Sequence, residues 1–422
     1  MAVRSLASGW KIARIFDITI RVHVTWLIIV ALLTYSLAVA LLPLSNLAEG
    51  RWWGKGLELE RRIQDYSRSH PGVPEAAVYE RFGVEPWPQW HYWVLGLIGA
   101  LGLFVCVLAH ELSHSLVARA EGIPVEGITL FIFGGMARIG GEARTPDSEF
   151  KVAAAGPLMS LAIGLSCGLL YWMVGSFLAP QARALLFYFM FVNVLLMVFN
   201  LVPGFPLDGG RLLRAILWKI LDNFRRATFV ASICGRVVAG GMILVALLVA
   251  LGNGDLLGGA WLGIIGLFLW HAAKASYRQV ELREALAGLT ARDAVRPEPV
   301  TVAPDLTLDE LVQAYFWRHR QHNFPVTDAG GRALGRVGLS EVRSVPRAEW
   351  TTRPVRDVMR RINRTETVSL DEDMWSVFQK TMQVDGAALP VVDDDGRLTG
   401  VVTQADVMNL LRIRTELTAG GR

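Results

Sequence analysis

The chain of 422 residues has only three cysteines, Cys106, Cys167 and Cys234, each inside an apolar run. An odd number of cysteines at apolar positions excludes a disulfide framework. They read as small buried hydrophobes, not as metal ligands. Charge is also scarce. Charged residues make up 19% of the chain, below the roughly 25% usual for soluble globular chains. The net charge of +4 is small, so no nucleic-acid partner is expected. Hydrophobic residues, at 52%, are abundant. That excludes a disordered chain, which needs few apolar residues and high net charge. It also argues against a purely soluble enzyme.

The charge is unevenly spread. It makes up about 27% of residues 285–422 but only about 15% of residues 1–284. The front is membrane-like and the back soluble-like. A spanning helix needs about 20 apolar residues. The runs that qualify are near 23–43, 91–118, 152–178, 182–202, 228–251 and 256–273. A further apolar stretch at Leu212–Leu221 is ambiguous. The expected fold is therefore a polytopic α-helical membrane domain of about six transmembrane helices over residues 1–280, with an extracytoplasmic loop at 44–90. The first apolar run is longer than a signal-peptide core and reads as a retained anchor.

Basic residues set the expected topology. Arg4, Lys11, Arg14 and Arg21 precede the first run. Arg119, Arg138, Arg144 and Lys151 separate the second from the third. Arg211, Arg214, Lys219, Arg225 and Arg226 separate the fourth from the fifth. All three clusters fall on one face, which should be cytoplasmic. The chain then reads as a multi-pass cell-membrane protein with both termini in the cytoplasm.

The charge-rich back carries an internal repeat. Asn323-Phe-Pro-Val-Thr-Asp-Ala-Gly-Gly-Arg-Ala-Leu-Gly335 matches Ala388-Leu-Pro-Val-Val-Asp-Asp-Asp-Gly-Arg-Leu-Thr-Gly400. Each unit reads as alternating short strands and helices, and Asp394-Asp395-Gly396 is a hairpin signal. The two units are expected at 285–348 and 349–415.

The chemistry concentrates in His110-Glu111-Leu112-Ser113-His114. Residues four apart on a helix lie about 40° apart around its axis, one turn up, so both imidazoles can reach one ion. Histidine nitrogen suits zinc, and a catalytic site keeps one position open. Glu111 is placed for the general-base role. The motif ends an otherwise apolar helix, where a carboxylate and two imidazoles are costly unless they pair or bind something. A third ligand is needed, and Asp208 is the best candidate. It lies in Asn200-Leu-Val-Pro203-Gly204-Phe-Pro206-Leu-Asp208-Gly209-Gly210-Arg211, which breaks the fourth run. Irregular backbone at membrane depth needs protein or a water-filled cavity around it. The plain alternative for Asp208 is a helix cap outside the membrane.

The segment Gly127–Ile139 reads as two short strands around a Gly-Gly turn. An exposed edge there could pair with an extended substrate, making Phe133, Gly134 and Gly135 candidates for substrate contact. The alternative is a plain cytoplasmic hairpin.

HELSH in one membrane helix, followed by Asn200, Pro203 and Leu207-Asp208-Gly209 in a later one, resembles the site-2 protease family of intramembrane zinc metalloproteases. Ala155-Gly156-Pro157 and Phe133-Gly134-Gly135 fit the same resemblance, which covers about residues 10–275. It implies one zinc ion per chain held by His110, His114 and Asp208, with Glu111 as general base. Asn200, Pro203, Gly209 and Asn193 would support the site. For Asn193 an interhelical hydrogen bond is an equal alternative. The implied activity is hydrolysis of a peptide bond in or near a transmembrane segment of a membrane protein substrate, within the lipid bilayer. The C-terminal repeat resembles a pair of CBS domains, an α/β tandem fold that commonly binds adenine nucleotides. Its second unit keeps Gly400, Thr403 and Asp406, the positions such a ligand would use. The first has Gly338 and Glu341 where the second has Thr403 and Asp406. A structural or dimerising pair, forming a homodimer without nucleotide, is the alternative there. Two rival functions also stand: a non-catalytic channel or transporter with a CBS regulator, and a zinc protease whose site lies outside the membrane.

Overall fold

The computed structural model describes residues 9–48, 53–132, 134–141, 143–252, 254–319, 321–362, 366–384 and 388–419. Arg4 and Phe133 lie outside them. The chain divides into two compact units, Met1–Tyr277 and Arg278–Arg422.

Among the described residues, six helices are long and apolar enough to cross a membrane, as the apolar runs predict. They are α1 (Thr25–Leu47), α4 (Gln89–Ala120), α5 (Pro146–Val174), α6 (Pro180–Asn200), α8 (Phe224–Gly252) and α9 (Leu256–Leu286). The more polar α2 (Trp53–Ser69) and the short α3 (Glu75–Arg81) lie between α1 and α4. Sequence signals set the helix starts. Before α5, the Thr145 hydroxyl accepts a hydrogen bond from the Ser148 N–H at 3.2 Å, with Pro146 next and acidic Asp147 and Glu149 in the first turn. Pro88 and Pro180 stand at the starts of α4 and α6. Large apolar side chains face outward, among them Leu165, Leu169 and Trp172 of α5. In water they would be an aggregation surface; against lipid they cost nothing.

The ambiguous stretch at Leu212–Leu221 belongs to α7 (Asp208–Leu221). Its 14 residues reach about 21 Å, short of the ~30 Å hydrocarbon core. It therefore adds no span.

A four-stranded sheet joins this unit, in the order β1 (Trp10–Ile15), β2 (Ile18–Val22), β3 (Val125–Phe131), β4 (Gly134–Ile139). β3 and β4 are the two strands expected from the sequence. Gly134 and Gly135 pair with Phe131 and Leu130 within β4, so the turn comes before them and not at them. The β1–β2 hairpin adds to the expected fold, in which residues 1–22 figure only as basic residues before a retained anchor. Phe16 and Asp17 take positive φ, 47° and 62°, the backbone of a tight hairpin turn. Ile18, Val22, Ile128 and Leu130 then bury one face against Leu108 and Leu112 of α4. The β2–β3 pairing is parallel. β4 is left as an edge strand beside the motif helix.

The second unit holds two sheets, β5–β11–β10–β9 and β6–β7–β8. The strands are β5 (Arg296–Pro297), β6 (Asn323–Thr327), β7 (Ala333–Gly338), β8 (Arg360–Arg361), β9 (Val368–Ser369), β10 (Leu389–Val392) and β11 (Leu398–Val402). Each repeat donates its first strand to the other: β5 pairs with β11 and β8 with β7. The repeated turns also meet, through Ala333 N–H to Gly396 O at 3.2 Å and Leu398 N–H to Gly331 O at 2.9 Å. Two apolar cores result, one around Phe324, Val326 and Val337, the other around Met374, Val391 and Val402.

Candidate metal centre

Helix α4 brings the two motif histidines onto one face. His110 Nε2 and His114 Nε2 lie 3.2 Å apart, and each is 3.1 Å from Asp208 Oδ2. Both histidines are buried, at 3% and 4% exposed. Asp208 is separated from them by 98 and 94 residues and enters as the first residue of α7.

The loop between α6 and α7 delivers that carboxylate. It is irregular backbone that contains Pro203 and a cis Phe205–Pro206 peptide. The Phe205 N–H donates to Ala231 O of α8 at 3.2 Å. A Cβ on Gly209 would overlap the backbone of Leu201 and Val202, and one on Gly210 that of Gly204 and Phe205. The glycines therefore let the loop fold back onto the start of α7, which keeps Asp208 turned toward α4.

Helix α5 forms the other wall. The Val152 carbonyl accepts from His114 Nδ1 at 2.6 Å, and His110 Nδ1 lies 2.9 Å from Ser160 Oγ. A carbonyl only accepts, so His114 carries its proton on Nδ1 and turns the Nε2 lone pair toward Asp208. Between these two contacts lies Gly156, where any Cβ would overlap both Nε2 atoms. Val152, Gly156 and Ser160 are spaced by four along one stripe of α5. Sequence reasoning found Gly156 only as part of Ala-Gly-Pro and missed the other two. Their spacing was the one available signal.

Two imidazole nitrogens and a carboxylate oxygen converge within hydrogen-bond distance of one another, each aimed inward. Such a cluster is repulsive unless a proton or cation sits among the atoms. Two histidines and an aspartate suit zinc, with a fourth position left for water or substrate. The residues present fit the metal.

Glu111 lies next to this cluster and is within electrostatic reach of all three residues. Gly135 of β4 packs against it, since a Cβ there would come within 2.5 Å of Glu111 Cγ. The edge strand thus lies beside the carboxylate. Gly134 sits at the strand's first residue, one residue further off. Asn200 and Asn193 do not hydrogen-bond to the three central side chains. Asn200 Nδ2 donates to Leu196 O at 3.0 Å on its own helix. Asn193 is fully buried and donates to Phe189 O at 2.8 Å and to Cys106 Sγ at 3.3 Å, one turn before His110.

In the second unit, Thr403 and Asp406 form a helix cap. Asp406 Oδ2 accepts from Thr403 N at 2.9 Å and from Thr403 Oγ1 at 2.6 Å, at the start of the helix Gln404–Ala419. Its Oδ1 accepts from Arg296 Nε at 2.5 Å. Glu341 repeats the arrangement in the first unit, accepting from Gly338 N at 2.9 Å. The longer Glu still reaches, which explains why that position tolerates the change. Gly400 lets β5 approach, because a Cβ there would meet Val295 and the Arg296 carbonyl.

Comparison with known proteins places the chain in a family. Residues 98–179 and 168–247 match Peptidase family M50, and residues 291–347 and 355–413 match the CBS domain. Rip3 of Mycobacterium tuberculosis is 35% identical over 329 residues, 78% of this chain and 83% of Rip3. The chain is a member of peptidase family M50. The M50 chain is also 31% identical to the zinc metalloprotease MJ0392 of Methanocaldococcus jannaschii, over 75% of its own length and 86% of that protein. The solved site-2 protease from Methanocaldococcus jannaschii aligns at 24% identity and a TM-score of 0.35, over 64% of this chain and 95% of that one. Membership makes this protein a multi-pass membrane metalloprotease of the site-2 type, with zinc as its metal and a CBS pair at its C-terminal end. It also removes the ground for a non-catalytic channel or transporter.

Proposed function

We propose that this M50 protease cleaves a transmembrane segment of a membrane protein near the cytoplasmic face and releases a soluble fragment. The observation that carries the reading is the convergence of His110, His114 and Asp208 beside Glu111 at the end of an apolar helix. Those three side chains would hold one zinc ion, whose chemistry is to polarise a carbonyl and acidify water. Glu111 takes the proton from the attacking water and passes it to the leaving amine. The β4 edge, with Gly135 against Glu111, receives the substrate as an added strand, because a helical substrate must unwind before its amide is accessible. Gly134 would extend that contact, while Phe133 lies outside the described residues. Pro203 and Gly209 would hold the loop that presents Asp208, Asn193 would tie α6 to α4 through Cys106, and Asn200 would support the end of α6.

The basic clusters between spans support a cytoplasmic location for both termini and the CBS pair. There the pair would tune proteolysis by binding an adenine nucleotide at Gly400, Thr403 and Asp406, or by bringing two chains together as a homodimer. The test is a reconstituted assay with a candidate single-span substrate. Glu111→Gln should lose at least about 100-fold in rate while keeping its zinc and its fold. A fully active Glu111→Gln protein contradicts the mechanism.

A further inference from the structure

The stripe of α5 that holds the histidines continues one turn toward its start. Glu149 lies three residues before Val152 and is 1% exposed. Its Oε1 accepts from Arg214 Nε at 2.9 Å and also from Nη2 of the same guanidinium, and it lies 3.9 Å from Arg211 Nε. Both arginines belong to α7, one and two turns after Asp208. The Arg214 guanidinium is further held 5.0 Å from the ring centre of Phe205 and 4.6 Å from that of Phe224. Phe205 is in the loop that leads to Asp208.

A buried carboxylate is costly and persists where a partner and hydrogen bonds compensate it. Here the compensation comes from one helix only. Both N–H donors of Arg214 converge on that one oxygen, and this charge-assisted contact ties the guanidinium edge to Glu149. Rotation of α7 about its axis would break it and would turn Asp208 away from α4. One helix, α5, therefore sets all three central side chains. It fixes the two histidines through Val152 and Ser160, and the aspartate through Glu149.

We propose that Glu149 and Arg214 are positioning residues for the metal centre, acting through the orientation of α7. The proposal rests on Asp208 being a ligand, as in the function proposed above.

The experiment uses the full chain in detergent, stripped of metal. Zinc affinity is measured against a competing chelator, and the visible spectrum is recorded with cobalt(II) in place of zinc. Glu149→Gln and Arg214→Met should each weaken zinc about 10- to 100-fold, the range for outer-shell partners of metal ligands. Each should change the cobalt spectrum while the far-ultraviolet circular dichroism stays native. The double variant should be no weaker than either single one, because the two residues act as a unit. If Glu149→Gln does not fold, Arg214→Lys keeps the charge but loses the paired N–H donors, and should still alter the cobalt spectrum. Lowered thermal stability with unchanged zinc affinity and spectrum would overturn the proposal. Asp208→Asn is the control: if it too leaves zinc affinity unchanged, the ligand reading itself has failed, not only its positioning.

Discussion

His114 illustrates how a second contact determines what a functional side chain can do. Its Nδ1 is committed to the Val152 carbonyl at 2.6 Å, which leaves only Nε2 for a metal. His110 is turned in the same way by Ser160, at 2.9 Å. Removing that hydroxyl should loosen the ring without unfolding the helix. Ser160→Ala is expected to weaken zinc about tenfold, the mild end for such partners. Equilibrium dialysis at graded chelator checks it. Asp208→Asn removes a charge that faces the ion and should lower zinc content further than Ser160→Ala does. Equal zinc content in Asp208→Asn and wild type would remove Asp208 from the ligand set.

At the scale of elements, α5 is the organising piece. Its stripe of Glu149, Val152, Gly156 and Ser160 faces α4 and α7, and its opposite face carries Leu165, Leu169 and Trp172 outward. Gly156→Ala should leave the helix intact, since alanine is the better helix former. The added methyl group would displace both Nε2 atoms. Misplacement on the order of 1 Å costs roughly 100-fold in rate, so Gly156→Ala should be folded, poor in zinc and nearly inactive. Native zinc content in that variant would contradict the geometry. The spans were legible in the sequence because apolar runs of that length match the thickness of a bilayer. HELSH was legible because two histidines and a glutamate are costly there. The stripe on α5 was not legible, since serine, valine and glycine are ordinary in a membrane helix until their partner is known. The β1–β2 hairpin was hidden for a related reason: Lys11, Arg14 and Arg21 obscured the alternation of Ile18, Ile20 and Val22.

At the scale of the whole chain, the metal-centre residues and the CBS repeat fall in different stretches of sequence. The repeat was plain, because the two hairpins share Pro, Val, Asp, Gly and Arg at matching positions, from Pro325 and Pro390 to Gly335 and Gly400. The exchange of first strands between repeats was not, because β5 and β8 are only two residues each. Asp406 is part of a helix cap, and in the function proposed above it would also contact a nucleotide. Asp406→Ala should lose about 1 kcal/mol of stability from the cap and should abolish any effect of ATP or AMP on proteolysis. Titration calorimetry on the full chain, paired with the cleavage assay, separates the two losses. A nucleotide response unchanged in Asp406→Ala would leave Asp406 as a cap alone.

The central claim is that the bond is cut within the membrane, by Glu111 acting beside a metal held by His110, His114 and Asp208. The most direct measurement is mass-spectrometric mapping of the cleaved bond in a single-span substrate, co-reconstituted in liposomes with wild-type or Glu111→Gln protein. The account predicts one bond cut inside the apolar span near its cytoplasmic end, with wild type only. A cut confined to the soluble flank, or the same product from Glu111→Gln, would contradict it.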